Sequence, residues 1–149
     1  MEIIKNIYWL GGIFIFGIVS IMGFVLPHTL RFFRIPVTYK RALITSVVLL
    51  LIGIGLQFDK NYNCLERRNL LYPIYGIVYL FLYKVSDNFI QKKKGRHMYY
   101  LTIRYIKDEE SNNSTAIENL IQLINYIITF GLSYYGSMMI ISMIYNSCS

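Results

Sequence analysis

The sequence predicts an all-α integral membrane protein built as a bundle of four antiparallel transmembrane helices, and three observations predict it. Hydrophobic residues fill 55% of the 149 positions and Asp, Glu, Lys and Arg only 15%, with a mean hydropathy of +0.43; a soluble domain carries nearer a quarter charged residues. The charges are gathered into short segments between four long uncharged stretches. The Lys and Arg residues also divide unequally between the two sides that those stretches define, as the bias of positive charge toward the cytoplasm requires. The length gives a single domain over residues 1–149.

The first uncharged stretch, Asn6 to Leu30, has 25 residues, and crossing the hydrocarbon takes about 20. The span is expected at 7–26. Its flank carries one Lys, its apolar run is long and no small-residue cleavage site follows, so it reads as a retained span and not a signal peptide. The second stretch, Ala42 to Phe58, has 17 residues and gives a span over 42–58. The third, Asn69 to Tyr83, has 15 before Lys84. Lys84 and Asp87, three apart on a helix, are expected to pair, which extends this span over 69–90. Pro73 then falls in the first turns, where a missing N–H is tolerated. The fourth stretch, Asn119 to Ser149, is uncharged for 31 residues. Thr115 and Glu118 form a T-x-x-E capping box that starts its helix, giving 116–145.

Positive charge sets the orientation. Pro27 to Arg41 holds four Lys or Arg and Lys84 to Glu118 holds seven, against four in Lys5, Lys60, Arg67 and Arg68. Eleven against four places both termini outside and one cytoplasmic loop of ~25 residues, 91–114, between the third and fourth spans. Tyr8, Trp9, Phe32, Phe33 and Tyr145 fall at span ends, as interfacial aromatic residues do. Two glycosylation sequons in Asn112-Asn113-Ser114-Thr115 lie on the cytoplasmic side, away from glycan addition. The expected location is a bacterial inner membrane.

Two spans carry polar stripes. Tyr72, Tyr75, Tyr79 and Tyr83 recur with Gly76 at three- and four-residue steps on the third, continuing to Ser86 and Asp87. Gln122, Asn125, Thr129 and Ser133 do the same on the fourth. Hydroxyls and amides facing lipid have no partner, so the stripes should turn inward and meet, the tyrosine hydroxyls bonding to the amides and hydroxyls opposite. The same stripes would line a polar pathway if chains assembled. Ala42, Ser46 and Gly53 leave a thin side on the second span, and Gly12, Ser20 and Gly23 one on the first, where helices can approach closely.

Chemistry narrows the function classes by absence. No uncharged core holds an Asp, Glu, His, Lys or Arg, apart from Lys84 and Asp87 near one end. Proton-coupled carriers, pumps and voltage sensors need an ionisable group at depth. His28 and His97 stand alone at the interface, without the third ligand a zinc site needs, and no phosphate loop, G-x-S-x-G or H-E-x-x-H occurs. No catalytic, cofactor-binding or metal-binding residue is therefore assigned, and no enzyme activity, cofactor or nucleic-acid partner is expected. Cys64 and Cys148 both fall on the oxidising side, where a disulfide between them would persist.

The expectation is a non-enzymatic protein that acts by helix-mediated binding to a partner in the membrane, or to a toxin, surrounded by lipid. The alternative is a homo-oligomeric channel lined by the tyrosine and Gln/Asn/Thr/Ser stripes. In size and span count the chain is similar to membrane immunity proteins that block pore-forming toxins and to accessory subunits of membrane complexes; no motif carries that likeness.

Overall fold

The computed structural model describes residues 27–58, 63–99 and 113–145. The expected first span, with Gly12, Ser20 and Gly23, lies outside the described residues. So do Tyr8, Trp9, the middle of the long loop and Cys148. The described chain is all helical: a 3-10 helix over Pro27–Arg34, then α1 (Pro36–Leu56), α2 (Cys64–Asn69), α3 (Pro73–Lys94) and α4 (Ala116–Ile144).

Helix boundaries follow local chemistry more closely than they follow charge. α1 begins six residues before the expected 42, because Pro36 takes the first helical position with its φ already set. Lys40 and Arg41 therefore belong to the helix, and their long side chains are exposed. The third expected span, 69–90, is α3 over Pro73–Lys94, and the connection before it holds the short α2, which shares only Asn69 with that span. Asn63 and Glu66 form a capping box: Asn63 Oδ1 accepts from Glu66 N at 2.9 Å, and Glu66 Oε2 accepts from Asn63 N at 3.0 Å. This N-x-x-E signal starts the short α2. Pro73 then opens α3, which runs through Lys94 and stops at Gly95, whose φ of +67° is the left-handed cap that glycine adopts without cost. α4 starts at the Thr115–Glu118 capping box, as the sequence predicts.

Two of these helices, α1 and α4, are long and apolar enough to cross a membrane. At the helical rise they measure roughly 31 and 43 Å. Only 6% and 17% of their most apolar stretches is buried inside the chain, whereas a soluble protein covers its apolar core helices. Their outward residues are large and apolar, including Ile44, Leu51, Ile127 and Met143.

α3 is the central helix, packed against α4 on one side and α1 on the other. Both pairs run antiparallel. Tyr75 meets Phe130 and Tyr79 meets Tyr126 across α3 and α4. Gly76 meets Ser46 across α3 and α1, where a Cβ on the glycine would stand 2.9 Å from the serine hydroxyl. The small side of the second expected span is thus used at Ser46 for a close approach. The buried core joins Tyr75, Tyr79, Tyr83, Ile90, Met98 and Tyr126, with Phe33, Tyr39 and Ile121 against it.

Candidate functional site

The two polar stripes form one seam between α3 and α4. Tyr75, Tyr79 and Tyr83 are buried on α3, as are Asn125 and Thr129 on α4. Tyr79 stacks on Tyr126 with centroids 5.5 Å apart, and their hydroxyls lie 3.5 Å from each other. Asn125 Nδ2 donates to Ser86 Oγ at 2.9 Å. The expected bonding of tyrosine hydroxyls to amides is therefore replaced by ring on ring and amide on serine. Thr129 turns its hydroxyl back to the Asn125 carbonyl at 2.6 Å, a local bond that removes a donor from the seam. Gln122 donates to the Tyr99 carbonyl at 2.9 Å. Tyr72 and Ser133 are only half-buried; Tyr72 faces α1.

Sequence reasoning missed a clasp at the basic end of the bundle. Asp87 and Glu118 are 1% and 0% exposed, and both are engaged. Asp87 accepts from Met98 N at 2.9 Å and from His97 Nδ1 at 2.8 Å. The expected Lys84–Asp87 pair is not formed, because Asp87 turns inward with the tyrosine stripe while Lys84 stays exposed, 5.9 Å from the Tyr39 ring. Glu118 accepts Arg96 through both oxygens, at 2.8 and 3.3 Å, with Lys94 Nζ 3.3 Å away. Its Oε2 also takes the Thr115 amide at 2.9 Å and hydroxyl at 2.8 Å. Arg96 lies over the Tyr99 ring at 3.5 Å, and Arg34 donates to the Met98 carbonyl at 2.8 Å. The start of the long loop is thus folded back and bolted to α3 and α4. The one sequence signal was that Asp87 continues the register of the tyrosine stripe. Phe33, expected at the interface, also belongs here, edge-on to Tyr83 at 5.9 Å.

The opposite end holds a second knot. Gln57 Nε2 donates to the Arg67 carbonyl at 2.7 Å, Arg67 Nη1 donates back to the Gln57 carbonyl, and Tyr145 Oη reaches that carbonyl at 2.5 Å. The Arg67 guanidinium lies 4.0 Å from the Tyr145 ring centroid. Cys64 begins α2 beside this knot, and no cysteine among the described residues is free; Cys148 lies outside them.

Between α1 and α3 runs a groove of about 240 Å³, lined by Phe33, Thr45, Ser46, Leu49, Tyr72, Tyr75, Gly76, Tyr79 and Leu80 among others. Its walls are almost wholly apolar. These arrangements can hold helices and apolar molecules. Among the described residues they bring no nucleophile to a general base.

No family model, curated protein or solved structure matches this chain.

Proposed function

We propose that the chain is a non-enzymatic inner-membrane protein of four spans, which acts by helix-mediated binding to a protein partner in the membrane. The accessory, regulatory and immunity-type roles all fall within that reading. One observation carries it: Asn125 turns onto Ser86 and Tyr79 onto Tyr126 inside the chain, and what the molecule offers its surroundings is the apolar outer faces of α1 and α4. A channel lined by those stripes draws no support from a seam in which Tyr79 stacks on Tyr126 and Asn125 bonds to Ser86.

In this reading the basic end faces the cytoplasm and the termini lie outside, following the eleven-to-four division of positive charge. We read Cys64 and Cys148 as bridged on the oxidising side. Support comes from the position of Cys64, which begins α2 where that helix packs against α4, and from a sequence that holds one other cysteine.

The test is purification of the full chain from membranes in mild detergent after brief in-cell cross-linking. A distinct membrane protein recovered in near-stoichiometric amount is the expected result. A chain recovered alone overturns the binding role, and a defined homo-oligomer that passes ions in liposomes installs the channel instead.

A further inference from the structure

The groove between α1 and α3 shares Tyr75 and Tyr79 with the seam and Phe33 with the clasp, but Ala42, Thr45, Ser46 and Leu49 of α1 line it and belong to neither. We propose that it is a binding site for an anionic phospholipid of the leaflet at the basic end, with one acyl chain in the groove and the phosphate at Lys84.

Shape and lining choose the chain. The floor lies where Gly76 and Ser46 approach too closely for another side chain to enter. The serine hydroxyl there is committed to the Ala42 carbonyl at 2.9 Å, so it offers a polar ligand little. A dry cavity of about 150 Å³ accepts benzene. The groove's roughly 240 Å³ takes a longer apolar stretch, and it opens onto a helix whose outward residues are apolar.

Charge chooses the headgroup. Leu80 lines the groove, and Lys84 follows one turn later on the same face of α3. Tyr39 ties this corner together: its hydroxyl donates to the Leu80 carbonyl at 3.3 Å, and the Lys84 ammonium stands 5.9 Å from its ring. Lys40 and Arg41 are exposed at the same end of α1. No described acid opposes them there. Asp87 and Glu118 are buried against their own partners, and Glu66 caps α2 at the far end. A phosphate is the complement of that mouth, and a zwitterionic lipid satisfies it less well.

This proposal rests on the membrane reading, so the experiment separates the two. Alkaline carbonate extraction of membranes tests the first: release of the full chain sinks both. Native mass spectrometry of the full chain, loaded in detergent with equal phosphatidylglycerol and phosphatidylcholine, tests the second. The wild type should retain phosphatidylglycerol over phosphatidylcholine on the order of fivefold, the preference that one lysine near a headgroup supplies. Lys84→Gln should remove most of that preference, and Thr45→Phe, which fills the groove, should lose both lipids. Equal retention by the wild type, or undiminished retention by Thr45→Phe, overturns the proposal. If Thr45→Phe does not fold, phosphatidylglycerol with a diazirine on its acyl chain decides the matter on the wild type. Label on Leu49 and Leu80 supports the site. Label elsewhere, as when a helix fills the groove, overturns it.

Discussion

The Arg67 guanidinium lies 4.0 Å from the centroid of the Tyr145 ring, while both side chains donate to the Gln57 carbonyl. That relationship fastens the end of α4 to the turn after α1 and to α2. A cation over an aromatic face is worth about 2 kcal/mol when desolvated, and Arg67 is buried. Tyr145→Ala loses that contact and a hydrogen bond together and should lower unfolding stability in detergent by ~3 kcal/mol. Tyr145→Phe keeps the ring, loses one hydrogen bond and should cost ~1 kcal/mol. Equal losses in the two variants would show that the ring contributes nothing.

The same knot sits three residues after Cys64 and three before Cys148. Membranes prepared without reductant should show no alkylation of either cysteine until dithiothreitol is added, read as a mass shift. A bridge closing this long a loop contributes about 4–5 kcal/mol in the chain-entropy picture. Helices already confined by a bilayer gain less, so a drop of a few degrees in the unfolding midpoint on reduction is expected. Alkylation of both thiols before reduction would remove the bridge.

Across the seam, coupling should follow the observed partners. Ser86→Ala and Asn125→Ala should show a coupling of ~0.6 kcal/mol in a double-mutant cycle, the size of an interhelical hydrogen bond in a membrane. Tyr79→Leu should couple to Tyr126→Leu by ~1 kcal/mol through ring stacking. A zero cycle at either pair would mean that α3 and α4 are held by shape alone.

How far the sequence reaches is visible at particular residues. Tyr75, Tyr79, Tyr83, Asn125 and Thr129 are buried on the faces that their three- and four-residue spacing defines, because helical periodicity is a local property. Ser46 was legible as part of a thin side, but its partner Gly76 was not, since that glycine reads as a member of the tyrosine stripe. The clasp was not legible, because Asp87 and Glu118 are satisfied by His97, Met98 and Arg96. Those residues come from a loop with no periodicity to place it. Arg67 was counted as surface charge, since nothing local announces that Gln57 and Tyr145 will enclose it. α2 was readable through Asn63 and Glu66 but lay inside a stretch treated as a short connection.

Gly95 ends α3 at φ +67° with its amide donating to the Gln91 carbonyl at 2.9 Å. A side chain there meets no neighbour, so the backbone angle alone sets the cost. Gly95→Ala should destabilise by ~1 kcal/mol, measured as a shift of the thermal midpoint. Gly95→Asn should recover part of the loss, since asparagine tolerates this region. A neutral Gly95→Ala would mean that the cap is not held in solution.

Within the clasp, Glu118 is the residue whose loss should cost most. Its carboxylate is fully buried and accepts from Arg96 twice, from the Thr115 amide and hydroxyl, and from Tyr99 N at 3.4 Å, with Lys94 beside it. Removing the carboxylate ends its charge-assisted hydrogen bonds to Arg96 and the Thr115 cap but leaves the partly exposed Arg96 and Lys94 open to water, at a cost of about 2–3 kcal/mol. Glu118→Ala is expected in that range, since it also breaks the capping box that starts α4. Glu118→Gln keeps one acceptor oxygen but turns an NH2 group toward donors, and should cost ~2 kcal/mol. Arg96→Ala should cost less than either, because Lys94 and the backbone donors remain and Arg96 is partly exposed. The order Glu118→Ala, Glu118→Gln, Arg96→Ala is the diagnostic, read from unfolding midpoints in one detergent. If Arg96→Ala proves the most damaging of the three, the guanidinium and not the buried carboxylate organises this end of the bundle, and the clasp is misassigned.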